Sequence, residues 1–164
     1  MPTRNLLEIL RRLRAADVKF VVVGGMAGVM RGAPITTADI DIVHDRATDN
    51  VQRLLDVLLA LNATYRHDPR DLQPTESHLV GPGHQLLRTD LGPVDVLGEV
   101  SGAGYADLLE DSSTLAIGEG LTVHVLQLAR LIDLKKRAGR PKDLLALPVL
   151  QATLDLTQET DEED

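Results

Sequence analysis

Apolar positions at Leu6, Leu7, Leu10 and Leu13 recur with helical spacing, so residues 5–16 predict an amphipathic helix. Residues 19–23 are short, apolar and β-branched, the pattern of a buried strand. Gly24-Gly25 reads as a tight turn closing that strand, with a short helix over 26–31 and a stop at Gly32-Ala33-Pro34. Residues 39–43 form a second strand candidate, and Val51, Leu54, Leu55, Leu58, Leu59 and Leu61 mark a strong third helix. After a loop-rich stretch with Pro69, Pro74, Gly81 and Pro82, strands are expected at 78–80, 85–89 and 94–97, the last two joined by Gly92-Pro93. Helix is expected over 105–110, and short strands over 114–117 and 121–125. A helix over 126–138 is stopped by Gly139, and Pro141 suits the first turn of a final helix.

This order predicts an α+β fold, a small mixed and partly antiparallel sheet flanked by helices, with further helices at the C-terminus. At 164 residues, one domain over 1–157 is expected, large enough for a hydrophobic core. Aromatic residues are only 2% of the chain, so Leu, Val, Ile and Ala must build that core. Five of the last six residues are acidic, and 158–164 reads as a disordered, solvating tail. The net charge of −8 argues against a general nucleic-acid binder, although the body without the tail is nearly balanced. Cysteine is absent, which excludes disulfides and thiolate chemistry and fits a cytoplasmic protein. No secretory pattern opens the chain, and the apolar run over 20–30 is too short and glycine-rich to span a bilayer.

The main chemical signal is the pair Asp39 and Asp41 around Ile40. Strand side chains alternate faces, so both carboxylates leave in one direction, within reach of one divalent cation. The ordinary alternative is a strand end meeting solvent. Gly24-Gly25, between a strand and a helix, either makes a tight turn or brings backbone N–H groups up to a phosphate. Asp95 is an acid between Val94 and Val96, on the exposed side of an edge strand or aimed at a ligand. If its strand lies beside 39–43, three carboxylates converge and suit one or two Mg²⁺ ions, hard cations that prefer oxygen. Lys135 falls on the stripe of Leu128 and Leu131, where an apolar residue is expected. It needs an anion, either a substrate phosphate or a carboxylate such as Asp143. Arg140 and Lys142 extend this basic segment; otherwise it is a solvated helix end. The five histidines lack metal-ligand spacing, and His44 reads as an exposed strand-end residue. No Walker-type sequence and no GxGxxG with a following acid is present, which removes the main support for ATPases and dehydrogenases.

Val23-Gly24-Gly25 followed by Asp39-Ile40-Asp41-Ile42 resembles the hallmark of nucleotidyltransferases of the DNA polymerase β superfamily. The segment 89–97 resembles the strand that supplies their third carboxylate. Lys135, Arg140-Pro141-Lys142-Asp143 resembles the basic helix–turn of AbiEii-type toxin nucleotidyltransferases. The resemblance spans residues 5–150 and implies a nucleotidyltransferase-like sheet flanked by helices. It implies Mg²⁺ on Asp39, Asp41 and Asp95, with Asp95 placed to activate an acceptor hydroxyl. Gly24 and Gly25 would then hold a triphosphate, neutralised by Lys135, Arg140 and Lys142. The implied reaction moves an NMP from an NTP to a tRNA end or a partner protein, with a toxin–antitoxin or phage-defence role and a cognate antitoxin as expected partner. Two other readings stand beside it: a transferase acting on a small molecule, as aminoglycoside nucleotidyltransferases do, and a module that binds a nucleotide or a partner without chemistry. Net acidity favours a cationic small acceptor over RNA. Beyond Lys135–Lys142, the basic residues offered to an acceptor are Arg4, Arg11, Arg12 and Arg14.

Overall fold

The computed structural model describes residues 5–163. Arg4 and Asp164, counted above in the basic N-terminus and the acidic tail, lie outside the described residues.

Helix α1 (Leu6–Ala15) buries Ile9, Leu10 and Leu13, and the Asn5 side chain accepts a hydrogen bond from the Glu8 N–H at its start. Then follow β1 (Phe20–Val23), α2 (Gly24–Met30), β2 (Ile40–His44), α3 (Thr48–Ala60) and the two-residue β3 (Thr64–Tyr65). The middle of the chain adds α4 (Glu76–Val80), β4 (His84–Thr89), β5 (Gly92–Leu97) and α5 (Tyr105–Glu110). Finally β6 (Ser112–Gly118) and β7 (Leu121–Leu126) lead into α6 (Leu128–Ala138) and α7 (Pro141–Glu163). The strands form one sheet of seven in the order β3-β4-β5-β2-β1-β7-β6. β1 pairs antiparallel with β2 and parallel with β7, and β2 pairs parallel with β5, so the sheet is mixed as expected.

All four β1 residues are buried, as a strand covered on both faces requires. Leu54 and Leu58 of α3, Ile9 and Leu13 of α1, and Leu131 and Leu150 of the C-terminal helices join them in one core. Asn50 ties this core to the chain entering β1. Its side chain accepts from the Lys19 N–H at 2.7 Å and donates to the carbonyls of Lys19 (3.0 Å) and Asp45 (2.7 Å), while only 1% exposed. Asn50→Ala leaves these buried backbone groups unpaired, so a loss of roughly 2–4 kcal/mol is expected in urea unfolding; a change within error would show that the bonds contribute nothing.

Several elements differ from the sequence expectation. Residues 78–80, read as a strand, belong to helix α4, where the Thr75 side chain and His78 form a reciprocal cap. The strand β3 falls in the stretch read as loop. Helix α2 starts at Gly24 rather than at residue 26, with the turn out of β1 made at Gly24 itself. Gly139 does end α6, with a left-handed φ of 65°. His44 is 1% exposed, not an exposed strand end, and its Nε2–H donates to the Leu79 carbonyl at 2.6 Å. The acidic residues from 158 continue the backbone of α7 through Glu163. Among the described residues, no helix is long and apolar enough to cross a membrane.

Candidate active site

The parallel register of β2 and β5 sets Asp41 directly beside Asp95. Cross-strand neighbours share a face, so both carboxylates emerge on one side of the sheet. Asp39 lies two residues before Asp41, just ahead of β2, and joins them. One oxygen from each of the three lies within 4.8 Å of the others. The sequence argument required this convergence.

The glycine corner closes the group from the β1 side. Val23 pairs with Asp41 across β1 and β2, and the chain then turns through Gly24 at φ 63°, a left-handed conformation that favours glycine. A methyl group on Gly24 would run into the Asp41 carboxylate, with the Asp41 Cγ only 2.9 Å away. Gly25 is similarly tight against Thr37, whose hydroxyl would lie 3.0 Å from an added Cβ. Thr37 in turn donates to the Asp39 carbonyl at 3.0 Å, bracing the segment that carries the first carboxylate.

The electrostatics are those of crowded like charges. The Asp41 carboxyl is pushed up to about 8, first by burial, then by its hydrogen-bonding contact with Asp95 and the negative charges of Asp95 and Asp39. Lys135 pulls in the other direction. Asp41 Oδ1 is buried with no hydrogen-bond partner among the described residues. A buried, unpaired carboxylate oxygen amid two more carboxylates is costly alone, and a cation answers that cost. The donor set is entirely carboxylate oxygen, which fits Mg²⁺ or Mn²⁺ and disfavours soft metals.

Of the two anions the sequence left open for Lys135, the structure shows a carboxylate. Its Nζ lies 3.6 Å from Asp143 Oδ1, and Arg140 Nε lies 2.7 Å from Asp143 Oδ2, while Asp143 is only 2% exposed. Burial pushes Asp143 up, but hydrogen bonds and charge from Arg140 and the charge of Lys135 outweigh it and hold the carboxyl below its usual range. Lys135 also acts electrostatically on Asp41. Arg140 is largely exposed beyond its bond to Asp143, and Lys142 is exposed. The N-terminal arginines are otherwise engaged: Arg11 with Glu8 and the Ile117 carbonyl, Arg12 with Glu8, and Arg14 with the carbonyls of Thr122 and Val18.

The residue that sequence reasoning missed is Arg66. Its Nη2 donates to Asp95 Oδ1 at 2.6 Å and lies 4.0 Å from Asp39 Oδ2. Nothing near Tyr65-Arg66-His67 distinguishes this arginine locally. The only usable signal was β3 itself, which is two residues long and follows Asn62, a left-handed residue at φ 57°.

A seven-stranded mixed sheet flanked by helices, with a glycine corner at an acidic pair, defines the nucleotidyltransferase class, and this chain is a nucleotidyltransferase. The family model for aminoglycoside-2''-adenylyltransferase matches residues 5–96, which hold the glycine corner and all three carboxylates. The chain belongs to that family. Its fold is shared by the crystal structure of a Thermotoga maritima protein proposed to be a nucleotidyltransferase, at a TM-score of 0.57 and 20% identity, covering 87% of this chain and 89% of that one. No curated protein matches the chain.

Proposed function

We propose that the chain transfers an NMP from an NTP to the hydroxyl of a cationic small molecule, with Asp39, Asp41 and Asp95 as its metal-binding carboxylates. The observation that carries this reading is the gathering of those three carboxylates within 4.8 Å at the Gly24 corner, with Asp41 Oδ1 buried and unpartnered. The acceptor oxygen attacks the α-phosphorus in line, the bond to the bridging oxygen of the β-phosphate breaks, and pyrophosphate leaves. Asp95, the acid nearest the outer strands β3 and β4, accepts the acceptor's proton. Gly24 and Gly25 let the backbone approach the triphosphate, and Lys135 neutralises part of its charge, with Arg140 and Lys142 at the outer end. Mg²⁺ held by the carboxylates, as one ion or two, would supply charge neutralisation at the reacting phosphate. The rest of the rate comes from positioning.

The sequence reading placed an RNA end or a partner protein first as acceptor, in a toxin–antitoxin setting. Two observations move the small molecule ahead of it. The family model is that of an aminoglycoside adenylyltransferase, and the N-terminal arginines Arg11, Arg12 and Arg14 are engaged by Glu8 and backbone carbonyls. A net charge of −8 attracts a cationic acceptor and repels a polyanion.

The test uses NTPs labelled at the α-phosphate, with Mg²⁺ and a panel of aminocyclitol compounds, bulk tRNA and cell protein. Label is expected in a small, cationic product. Label in RNA or protein instead would return the acceptor to the first reading, and no transfer to any class would remove the enzymatic proposal. Lys135→Ala is expected to raise the KM for NTP about tenfold with kcat changed less than about threefold, because it removes a charge that binds substrate and transition state alike. An unchanged KM would contradict its place at the triphosphate.

A further inference from the structure

Arg66 follows β3 directly, and its backbone N–H donates to the Leu86 carbonyl at 3.0 Å, extending the pairing of Tyr65 with Leu87 by one residue. Leu86 is in turn opposite Asp95, and Asp95 is opposite Asp41. Arg66, Leu86, Asp95 and Asp41 therefore form one row across four adjacent strands. The guanidinium reaches along that row to the carboxylates. Nη1 is held by the Leu87 carbonyl at 2.6 Å, which fixes one edge of the group. Nη2 then projects between Asp95, at 2.6 Å, and Asp39, at 4.0 Å. Its side chain is 19% exposed.

A simple surface ion pair would not lie between two carboxylates that a third also faces. The fixed positive charge lies against two of the carboxylates that a cation would need. It offsets part of the negative charge of the group. We propose that Arg66 is a resident counter-charge that shares Asp95 with the divalent cation and keeps the bare carboxylate triad a weak cation site, so that the metal enters with the NTP rather than ahead of it. The inference rests on the metal-binding reading above and adds to it a residue that sets affinity. Arg66 is a positioning residue in this scheme; it acts on the site through Asp95 and touches no reacting atom.

The physical logic is a competition. Without nucleotide, a dication approaching the triad meets Arg66's like charge and must take Asp95 from a short, charge-assisted hydrogen bond. With an NTP, the triphosphate brings negative charge that offsets this repulsion. Removing the arginine's charge therefore favours the metal most when nucleotide is absent.

Mn²⁺ binding to the nucleotide-free protein, followed by electron paramagnetic resonance, tests the proposal without relying on activity. Arg66→Gln keeps a polar, hydrogen-bonding side chain and removes the charge. It is expected to bind Mn²⁺ about tenfold more tightly than the unaltered protein, the effect of deleting one like charge a few ångströms away under solvent-like screening. Arg66→Lys, which keeps the charge, is expected to stay within about threefold of the unaltered protein and serves as the second variant should the glutamine protein fold poorly. Mn²⁺ affinity in Arg66→Gln that is unchanged, weaker or undetectable overturns the proposal, as does tightening in Arg66→Lys equal to that in Arg66→Gln. Asp41→Asn separates the two levels. If it binds Mn²⁺ as the unaltered protein does, the metal-binding reading itself fails; if it loses binding while Arg66→Gln is unchanged, only the role of Arg66 fails.

Discussion

Asp41→Asn is expected to abolish nucleotidyl transfer and, in the same protein, to raise thermal stability at alkaline pH. Both effects have one cause. Asp41 is buried beside two like charges, and its carboxyl is pushed up to about 8, whereas an unfolded aspartate titrates near 3.8. For an acid whose folded value is raised, the folded state holds its proton where the unfolded state has lost it. The stabilising contribution is thus complete below about pH 4 and disappears as pH rises toward about 8. The metal-free protein should lose melting temperature across that window, and Asn, which keeps the shape and carries no charge, should flatten the profile. Transfer should fall by about 10³-fold or more, roughly 4 kcal/mol of barrier, because a carboxylate proposed to hold the metal is gone. Melting curves from pH 5 to pH 9 with parallel activity assays read both. A variant that is inactive but no more stable at about pH 8.5 would show that Asp41 is not strained in the folded protein. Near-normal activity would remove it from the metal site.

The second large effect is expected from Gly24→Ala. Two penalties combine at this position. The φ of 63° costs a non-glycine residue roughly 1 kcal/mol. The added methyl also runs into the Asp41 carboxylate, with Asp41 Cβ itself at 3.0 Å. Asp41 must rotate away, and the triad loses its shape. Transfer should fall about 10²-fold or more with a stability loss of about 1–3 kcal/mol. Gly102→Ala is the matched control, since Gly102 also has a positive φ of 80° but nothing within 4 Å of an added Cβ. It should show the backbone cost alone and full activity. Equal loss in both variants would mean that backbone strain, and not contact with Asp41, governs Gly24.

These two predictions draw on residues that were already legible in the sequence, and the reason is physical. Asp41 and Asp95 sit on strands whose period of two dictates which side chains share a face, Asp39 immediately precedes the first of them, and Gly24 sits where a buried strand must turn sharply. Alternation and turn chemistry are local, so they survive without a structure. Pairing is not local. The parallel register that sets Asp41 beside Asp95 could be required by the argument but not read from either strand. Arg66 shows the same limit more sharply, because it enters the site only through β3, a strand of two residues with no periodic signal. The misreading of 78–80 has a different origin. Ser77-His78-Leu79-Val80 carries a strand-like composition, but the cap from Thr75 to His78 commits it to a turn of helix, and Leu79 is buried in the core either way. Lys135 was read as inward-facing and needing an anion; Asp143 supplies one, and what the sequence left open was whether that anion would be protein or substrate.

The central claim is that the three carboxylates and the Gly24 corner form one metal–nucleotide centre. A crystal structure of the protein with Mn²⁺ and a non-hydrolysable NTP tests it most directly, through the anomalous signal of the manganese. The account predicts manganese bound by oxygens of Asp39 and Asp41, with Asp95 alongside and the triphosphate running over Gly24-Gly25 toward Lys135. Manganese and nucleotide bound together elsewhere on the protein, with the three aspartates untouched, would contradict it.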